Sequence, residues 1–298
     1  MARVENRTVG RVGADAIGSL RASGSPTPRL DAEVLLAHVA DRDRAWVLAH
    51  PEAELEADAV LAFRAALDRR LAGEPIAYIR GFKEWRSLRI LTDPRALIPR
   101  PETELLAEAT IGEIAERLTR DGEPLVAWEV ATGSGAIAVA LAIRFRSALA
   151  LGRLTLIASD ASPEALELAA ENLALHGVAG LVTLACADLL DPAGTSLPLP
   201  DVMVANLPYV ASAEVDARQG SLGYEPRLAL DGGPDGLVLL RRLLGDLPIR
   251  AAPAAAIFLE IGVGQVDAIS ALAPPGGSVA VVPDLAGLDR VVRIGMPD

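Results

Sequence analysis

The chain is predicted to be an α/β protein, a doubly wound and mainly parallel sheet of seven strands with a small helical domain in front of it. Three observations predict this. Residues 14–72 show apolar residues at helical spacing without strand-like alternation. Between 125 and 205, short apolar runs alternate with longer helical ones. A glycine-rich turn, Gly133-Ser134-Gly135, follows the first of those runs, where open α/β sheets bind their ligands.

In the helical part, Leu30, Val34, Leu35, His38 and Val39 recur behind Pro26 and Pro28, and a second run over 57–71 is bounded by Gly73 and Pro75. Residues 1–74 therefore read as a helical bundle. It gathers no cluster of catalytic residue types, which suits a substrate-recognition or docking module, or a stabilising appendage. Residues 75–97 bring Tyr78, Phe82 and Trp85 among prolines and a glycine, with a strand candidate over 87–92, and read as a hairpin or linker between domains. Residues 98–298 form the sheet domain. It opens with Ile98-Pro99-Arg100-Pro101-Glu102-Thr103-Glu104 and a helix running to about Arg120, in which Glu102 or Thr103 suits ordinary helix-start chemistry.

Strands are then predicted over 125–130, 154–159, 182–185 and 202–205, with helices over 136–149 and 163–176. The second of these helices has its signals in place: Ser162 to cap it, Pro163 at its first position and Gly177 past its end. A helix over 236–247, a strand over 255–261 and a helix over 265–272 follow, and two last strands, 278–282 and 290–294, are close enough for an antiparallel pair. The run Val202 to Ala205 is apolar throughout, as a strand buried on both faces must be.

The 298 residues allow one domain of roughly 180 to 200 residues and a smaller one. A net charge of -12 argues against a broad basic surface for nucleic-acid phosphates. One cysteine excludes an intrachain disulfide and a multi-cysteine metal site, and three scattered histidines offer no paired ligand spacing, so no metal is expected. Cys186, inside the apolar run 182–187, reads as a buried structural thiol. The N-terminal segment carries Arg3, Glu5, Arg7 and Arg11 and lacks the apolar core of a signal peptide. The most apolar stretch, 136–151, is interrupted by Arg144 and Arg146, short of the roughly 20 apolar residues that span a bilayer. A cytoplasmic protein without membrane contact is expected.

The candidate site gathers at the strand ends. The first strand runs into Glu129, Ala131, Thr132, Gly133, Ser134 and Gly135, whose glycines let backbone come close to a ligand. This loop alone leaves open NAD or another adenosine cofactor. Asp160 ends the second strand, placed to accept both hydroxyls of a ribose, and Asp188 with Leu189 follows the third. Between Glu129 and Asp160 the only cations are Arg144, Arg146 and Arg153, in or after the helix, so a pyrophosphate lacks a partner. S-adenosyl-L-methionine has no phosphate and carries a sulfonium cation, and it fits this acidic edge better. The fourth strand ends in Asn206-Leu207-Pro208-Tyr209. An amide there can accept hydrogens from a substrate nitrogen, although asparagine and proline also make ordinary turns.

These residues resemble the peptide chain release factor glutamine methyltransferases, over nearly the whole chain. The resemblance is carried by Leu30-Asp31-Ala32-Glu33-Val34-Leu35-Leu36-Ala37-His38, Gly73-Glu74-Pro75, the stretch from Ile98 to Glu104, Tyr224-Glu225-Pro226, Asp235-Gly236-Leu237, Glu260-Ile261-Gly262 with Gln265, and Asp284 to Val292. It implies an S-adenosyl-L-methionine-dependent, Rossmann-like methyltransferase that acts as a monomer in translation termination. The substrate implied is the glutamine of the Gly-Gly-Gln loop in class 1 peptide chain release factors, methylated on its side-chain amide nitrogen. Asn206 and the Leu207 main-chain carbonyl would each accept one N–H, and Tyr209 would pack on the glutamine. Ala131 stands where the family usually has glycine, and Leu207 where it usually has proline. Asn-Leu-Pro-Tyr is the form of rRNA adenine dimethyltransferases, so RNA methylation is the alternative, with a non-catalytic release-factor adaptor as a third reading.

Overall fold

The structure, a computed structural model, describes residues 7–120, 122–192, 196–218 and 220–297. Arg3 and Glu5 of the charged N-terminal segment lie outside them. The chain falls into two compact units, one of residues up to 81 together with 220–224, the other of 82–218 and 225 onward.

The first unit holds helices α1 (Val9–Ala22), α2 (Pro28–Val39), α3 (Arg44–Ala49), α4 (Ala57–Leu71) and α5 (Ile76–Arg80). Each long helix contributes one apolar stripe to a common core, with Leu20, Leu35 and Phe63 at its centre. Asp31 is buried with them. Its carboxylate accepts from Arg70 Nε, Ser25 Oγ and Thr27 Oγ1, each at 2.8 Å, so the buried charge is both paired and hydrogen-bonded. Helix α5 carries the unit to Gly81, past the expected end at 74. Its residues Ala77, Tyr78 and Ile79 are buried, but a run of five residues is too short for periodicity to distinguish from a strand.

The second unit opens with an antiparallel hairpin, β1 (Phe82–Trp85) and β2 (Leu88–Leu91), then α6 (Thr103–Arg120). The alternating part comprises β3 (Leu125–Val130), α7 (Ala136–Arg144), α8 (Arg146–Ala150), β4 (Leu154–Asp160), α9 (Pro163–Leu175), β5 (Val182–Asp188), β6 (Asp191–Pro192) and β7 (Val202–Ala205). It continues through α10 (Ser212–Ala217), α11 (Val238–Arg250), β8 (Ala256–Glu260), α12 (Val266–Leu272), β9 (Ser278–Pro283) and β10 (Asp289–Gly295). The sheet order is β6-β5-β4-β3-β7-β8-β10-β9, which is the expected seven strands plus the two-residue β6 at one edge. Strands β5, β4, β3, β7 and β8 are mutually parallel, while β10 runs antiparallel to both β8 and β9.

The sheet is covered on both faces, and the side-chain period of two shows how. Leu125, Ala127, Leu156, Val202, Val204 and Phe258 point into one core with α6 and α7. Trp128, Val130, Ile157, Met203, Ala205, Ile257 and Leu259 point into the other, against Leu240, Leu243, Leu244 and Leu247 of α11. Burying both faces is why β7 reads as an unbroken apolar run and β8 as one up to its terminal Glu260.

Two expectations are corrected. The helix predicted over 136–149 is broken at Phe145 into α7 and α8. Cys186 is exposed, not buried, because β5 has only β6 beyond it and is not covered as the central strands are. Among the described residues no helix is long and apolar enough to cross a membrane, and no cluster of His, Cys, Asp or Glu is placed to hold a metal ion.

Candidate active site

Strand β3 sits where the order reverses, with β4 on one side and β7 on the other. Ligands of such sheets bind at the carboxyl ends of the strands beside that reversal. A cavity of about 480 Å³ opens there, lined by Glu129, the loop 131–134, Asp160, Asp188, Leu189, Asn206, Leu207 and Pro208. Gly135 and Tyr209 do not line it. At Gly135 (φ +76°) an added Cβ would come within 3.0 Å of Ala169 Cβ, so its bareness lets the start of α7 press against α9.

The glycine-rich loop is held by its neighbours' backbone and by Asp160. Thr132 N–H donates to the Ser159 carbonyl at 2.8 Å. Asp160 Oδ2 accepts from Gly133 N–H and Oδ1 from Ser162 N–H, both at 2.9 Å. One carboxylate thus fastens the loop to the start of α9 and keeps lone pairs for a ligand. Burial raises the Asp160 carboxyl above its ordinary pKa, against the pull of those backbone N–H groups. Glu129 is more deeply enclosed, 2 % exposed, and burial, helped by the nearby Asp160 charge, pushes it up to about 8. Its Oε2 and the hydroxyl of Thr132 are buried without hydrogen-bond partners. Orphaned polar atoms facing a cavity are the mark of a site that completes itself with a ligand.

Asn206 follows β7, and its amide is tied to Thr103, which also lines the cavity. Nδ2 donates to Thr103 Oγ1 at 3.1 Å, and Thr103 Oγ1 donates to Glu260 Oε2 at 2.6 Å. Tyr209 O–H reaches Glu260 Oε1 only at 3.4 Å, a long and weak contact. Burial raises the Glu260 carboxyl, and burial together with that carboxylate pushes the Tyr209 phenol up to about 12. Gln265 braces the turn: its Nε2 donates to the Tyr209 carbonyl at 3.2 Å while its Oε1 accepts from Gly262 N–H at 2.9 Å. A Cβ on Gly236 would run into the same Tyr209 carbonyl. Leu207, 2 % exposed, packs into the α11 core as well as lining the cavity.

The arginines of the lining are all paired. Arg95 meets Asp93 and Glu171 at 2.7 and 2.8 Å, Arg100 meets Glu225 at 2.6 Å, and Arg242 meets Asp188 at 2.8 Å. Glu225 also accepts from Ile98 N–H at 3.0 Å, pinning the strip from Ile98 to Arg100 beside the cavity. Neither Glu129 nor Asp160 is in an ion pair among the described residues. A phosphate would find no unpaired cation here, whereas a ligand bearing positive charge would find two acidic groups, and its charge would favour ionisation of the buried Glu129.

Thr103, Glu225 and Glu260 were not picked out as site residues by sequence reasoning. Thr103 looked like a helix-start residue, and the other two lay in stretches that resembled the family without carrying a role. Their partners lie 103 to 157 residues away along the chain, beyond any local pattern.

Residues 14–81 match the family model of the PrmC N-terminal domain. The chain is 41% identical to the release factor glutamine methyltransferase of Moorella thermoacetica, over 93% of this chain and 94% of that protein. It is 37% identical to that of Koribacter versatilis, again over 93% and 94% of the two chains. Among solved structures, the hMettl16 catalytic domain in complex with MAT2A 3'UTR hairpin 6 shares the fold, with a TM-score of 0.51 at 13% identity, over 82% of this chain and 83% of that one. With such identity to curated relatives along nearly its full length, the chain belongs to the release factor glutamine methyltransferase family.

Proposed function

We propose that this protein transfers the methyl group of S-adenosyl-L-methionine to the side-chain amide nitrogen of the glutamine in the Gly-Gly-Gln loop of class 1 peptide chain release factors. The observation that carries the reading is Asn206. Its NH2 is engaged by Thr103, so its carbonyl is left to face the cavity beside the acid-lined strand ends. The residues fit the cofactor: unpaired Glu129 and Asp160 suit a ligand with cationic sulfur and ammonium groups, and no unpaired arginine asks for phosphate.

When bound, S-adenosyl-L-methionine supplies a methyl carbon made electrophilic by its positively charged sulfur. Asp160 accepts the ribose hydroxyls while keeping Gly133 and Ser162 in place. The loop from Ala131 to Ser134 holds the methionyl side, and Asp188 with Leu189 borders the adenine. The glutamine nitrogen is a poor nucleophile because its lone pair is delocalised into the amide carbonyl. Asn206 Oδ1 and the Leu207 carbonyl each accept one of its N–H groups and aim the nitrogen. Alignment of that kind, with reacting atoms roughly 3 to 3.5 Å apart, supplies much of the rate. The nitrogen–methyl bond would form as the sulfur–methyl bond breaks, leaving neutral S-adenosyl-L-homocysteine, and the methylated nitrogen, then strongly acidic, would lose its proton to water without a dedicated base. Tyr209, outside the lining, acts by holding the turn. Residues 1–74 serve as the substrate-recognition domain, and the protein works as a monomer.

The test is to incubate the protein with methyl-labelled cofactor and either a release factor or rRNA, then locate the label. Label on the release-factor glutamine is expected, lost in Asn206→Ala. Label on adenine would overturn the proposal in favour of the RNA chemistry that Asn-Leu-Pro-Tyr shares.

A further inference from the structure

We infer that Thr103 and Glu260 are positioning residues that fix which end of the Asn206 amide faces the substrate, and thereby make the site accept an amide and reject a carboxylate. The inference rests on the reading of Asn206 as the group that meets the glutamine nitrogen.

An asparagine amide has two ends of nearly equal shape and opposite character. With Oδ1 toward the cavity, Asn206 accepts a hydrogen from a substrate amide. Turned over, it presents NH2, which faces the hydrogens of an amide nitrogen donor to donor and welcomes a carboxylate instead. Nothing within Asn206 chooses between the two.

The choice comes from the residues bonded to it, Thr103 at the cavity wall and Glu260 beyond it. Once ionised, Glu260 can only accept, so the Thr103 hydroxyl 2.6 Å away gives it its one proton; burial raises its pKa, so this direction holds at pH above that raised value and is lost below it. Thr103 Oγ1 is then left as an acceptor toward Asn206, and only Nδ2, at 3.1 Å, can satisfy it. The direction set at Glu260 passes through two hydrogen bonds to the cavity. Water does not scramble it, because Thr103 is 5% and Glu260 1% exposed. The relay joins the first residue of α6 to the last of β8 behind the end of β7, so the fold rather than a loop holds its geometry. Tyr209 adds a second, weaker donor to Glu260, which leaves the carboxylate an acceptor on both oxygens.

The experiment compares wild type with Thr103→Val, which keeps the shape and removes the hydroxyl, and with Thr103→Ser, which keeps the hydroxyl. Five quantities are read: kcat and KM on a release factor, cofactor affinity by calorimetry, melting temperature, and inhibition by a release factor whose Gly-Gly-Gln glutamine is replaced by glutamate. Thr103→Val should lower kcat about tenfold or more, and should strengthen inhibition by the glutamate form relative to KM by about tenfold, with cofactor affinity unchanged. Thr103→Ser should restore both. Glu260→Gln, which can donate where the carboxylate only accepts, should erode discrimination in the same direction and serves if Thr103→Val does not fold. A variant that keeps wild-type rate and wild-type discrimination overturns the inference, as does a uniform loss that includes cofactor affinity and melting temperature. A wild-type protein that methylates no release factor overturns the functional reading as well, and the wild-type control shows this separately.

Discussion

Ala131 holds φ at +57°, a left-handed backbone that costs a residue bearing a Cβ about 1–2 kcal/mol. The strain sits in the loop that forms the cavity wall. Glycine would relieve it, at its own entropic cost of about 0.5–1 kcal/mol. Ala131→Gly should therefore stabilise the protein by about 0.5–1 kcal/mol in denaturant unfolding, and a loss of stability would show that the strain is compensated locally. Glu129, two residues earlier, works against stability through its charge. Its folded pKa of about 8 lies above the ordinary 4.5, so as pH rises through that window the unfolded chain has released its proton while the folded one retains it. Stability is therefore lost progressively from about pH 4.5 to about pH 8 and is level above. Glu129→Gln removes this dependence. The melting-temperature advantage of Glu129→Gln over wild type, without cofactor, should be small near pH 5 and grow toward pH 8. An advantage that stays constant across that range would mean Glu129 titrates normally.

At the scale of elements, Asn172 is the joint between three of them. Buried on α9, it donates to the carbonyls of Leu91 on β2 and Ser134 in the glycine-rich loop at 3.1 and 2.9 Å, and accepts from Leu91 N–H at 2.7 Å. Asn172→Ala strands three backbone groups, each worth about 1–3 kcal/mol when buried unpaired. A loss of at least about 3 kcal/mol in denaturant unfolding is expected, and a loss below about 1 kcal/mol would show that water takes over. The same scale shows what was legible beforehand. Strands β7 and β8 announce themselves because burial on both faces leaves no polar position in Val202 to Ala205 and only a terminal Glu260 in Ala256 to Glu260. Strand β5 is apolar around Cys186 but carries Thr183 and Asp188, and the exposure of Cys186 depends on how many strands lie beyond it, which no local pattern states. Residues 75–97 read as a hairpin or linker, but with Ser87 in a strand over 87–92 and not in the turn, because Arg86 and Ser87 both take positive φ, +48° and +60°, without the Asn-Gly signal that usually marks such turns. In the site, Asp160 and Asn206 were legible because each ends a strand within its own segment. Thr103 and Glu260 were not, because each acquires its role only from the other.

For the whole molecule, the net charge of -12 and the paired arginines of the lining point the same way as the cavity, toward a ligand carrying positive charge. The cavity lies entirely within the second compact unit, so a ligand bound there stabilises that unit by mass action. At S-adenosyl-L-methionine concentrations about 100-fold above Kd, the gain is about 2.7 kcal/mol. In a unit of this size, each kcal/mol moves the midpoint by about 2–4 °C, so calorimetry should show a rise of about 5–10 °C. Asp160→Ala removes the proposed acceptor for the ribose and one tie on the Gly133 loop. A tenfold loss of affinity costs about 1.4 kcal/mol. At the same cofactor concentration its rise should be smaller than wild type's by about 3–5 °C. No rise in wild type would remove the cofactor from the cavity, and an equal rise in Asp160→Ala would remove only Asp160 from its binding. The Asp160 assignment can therefore fall while the cofactor assignment stands, and one experiment reads both.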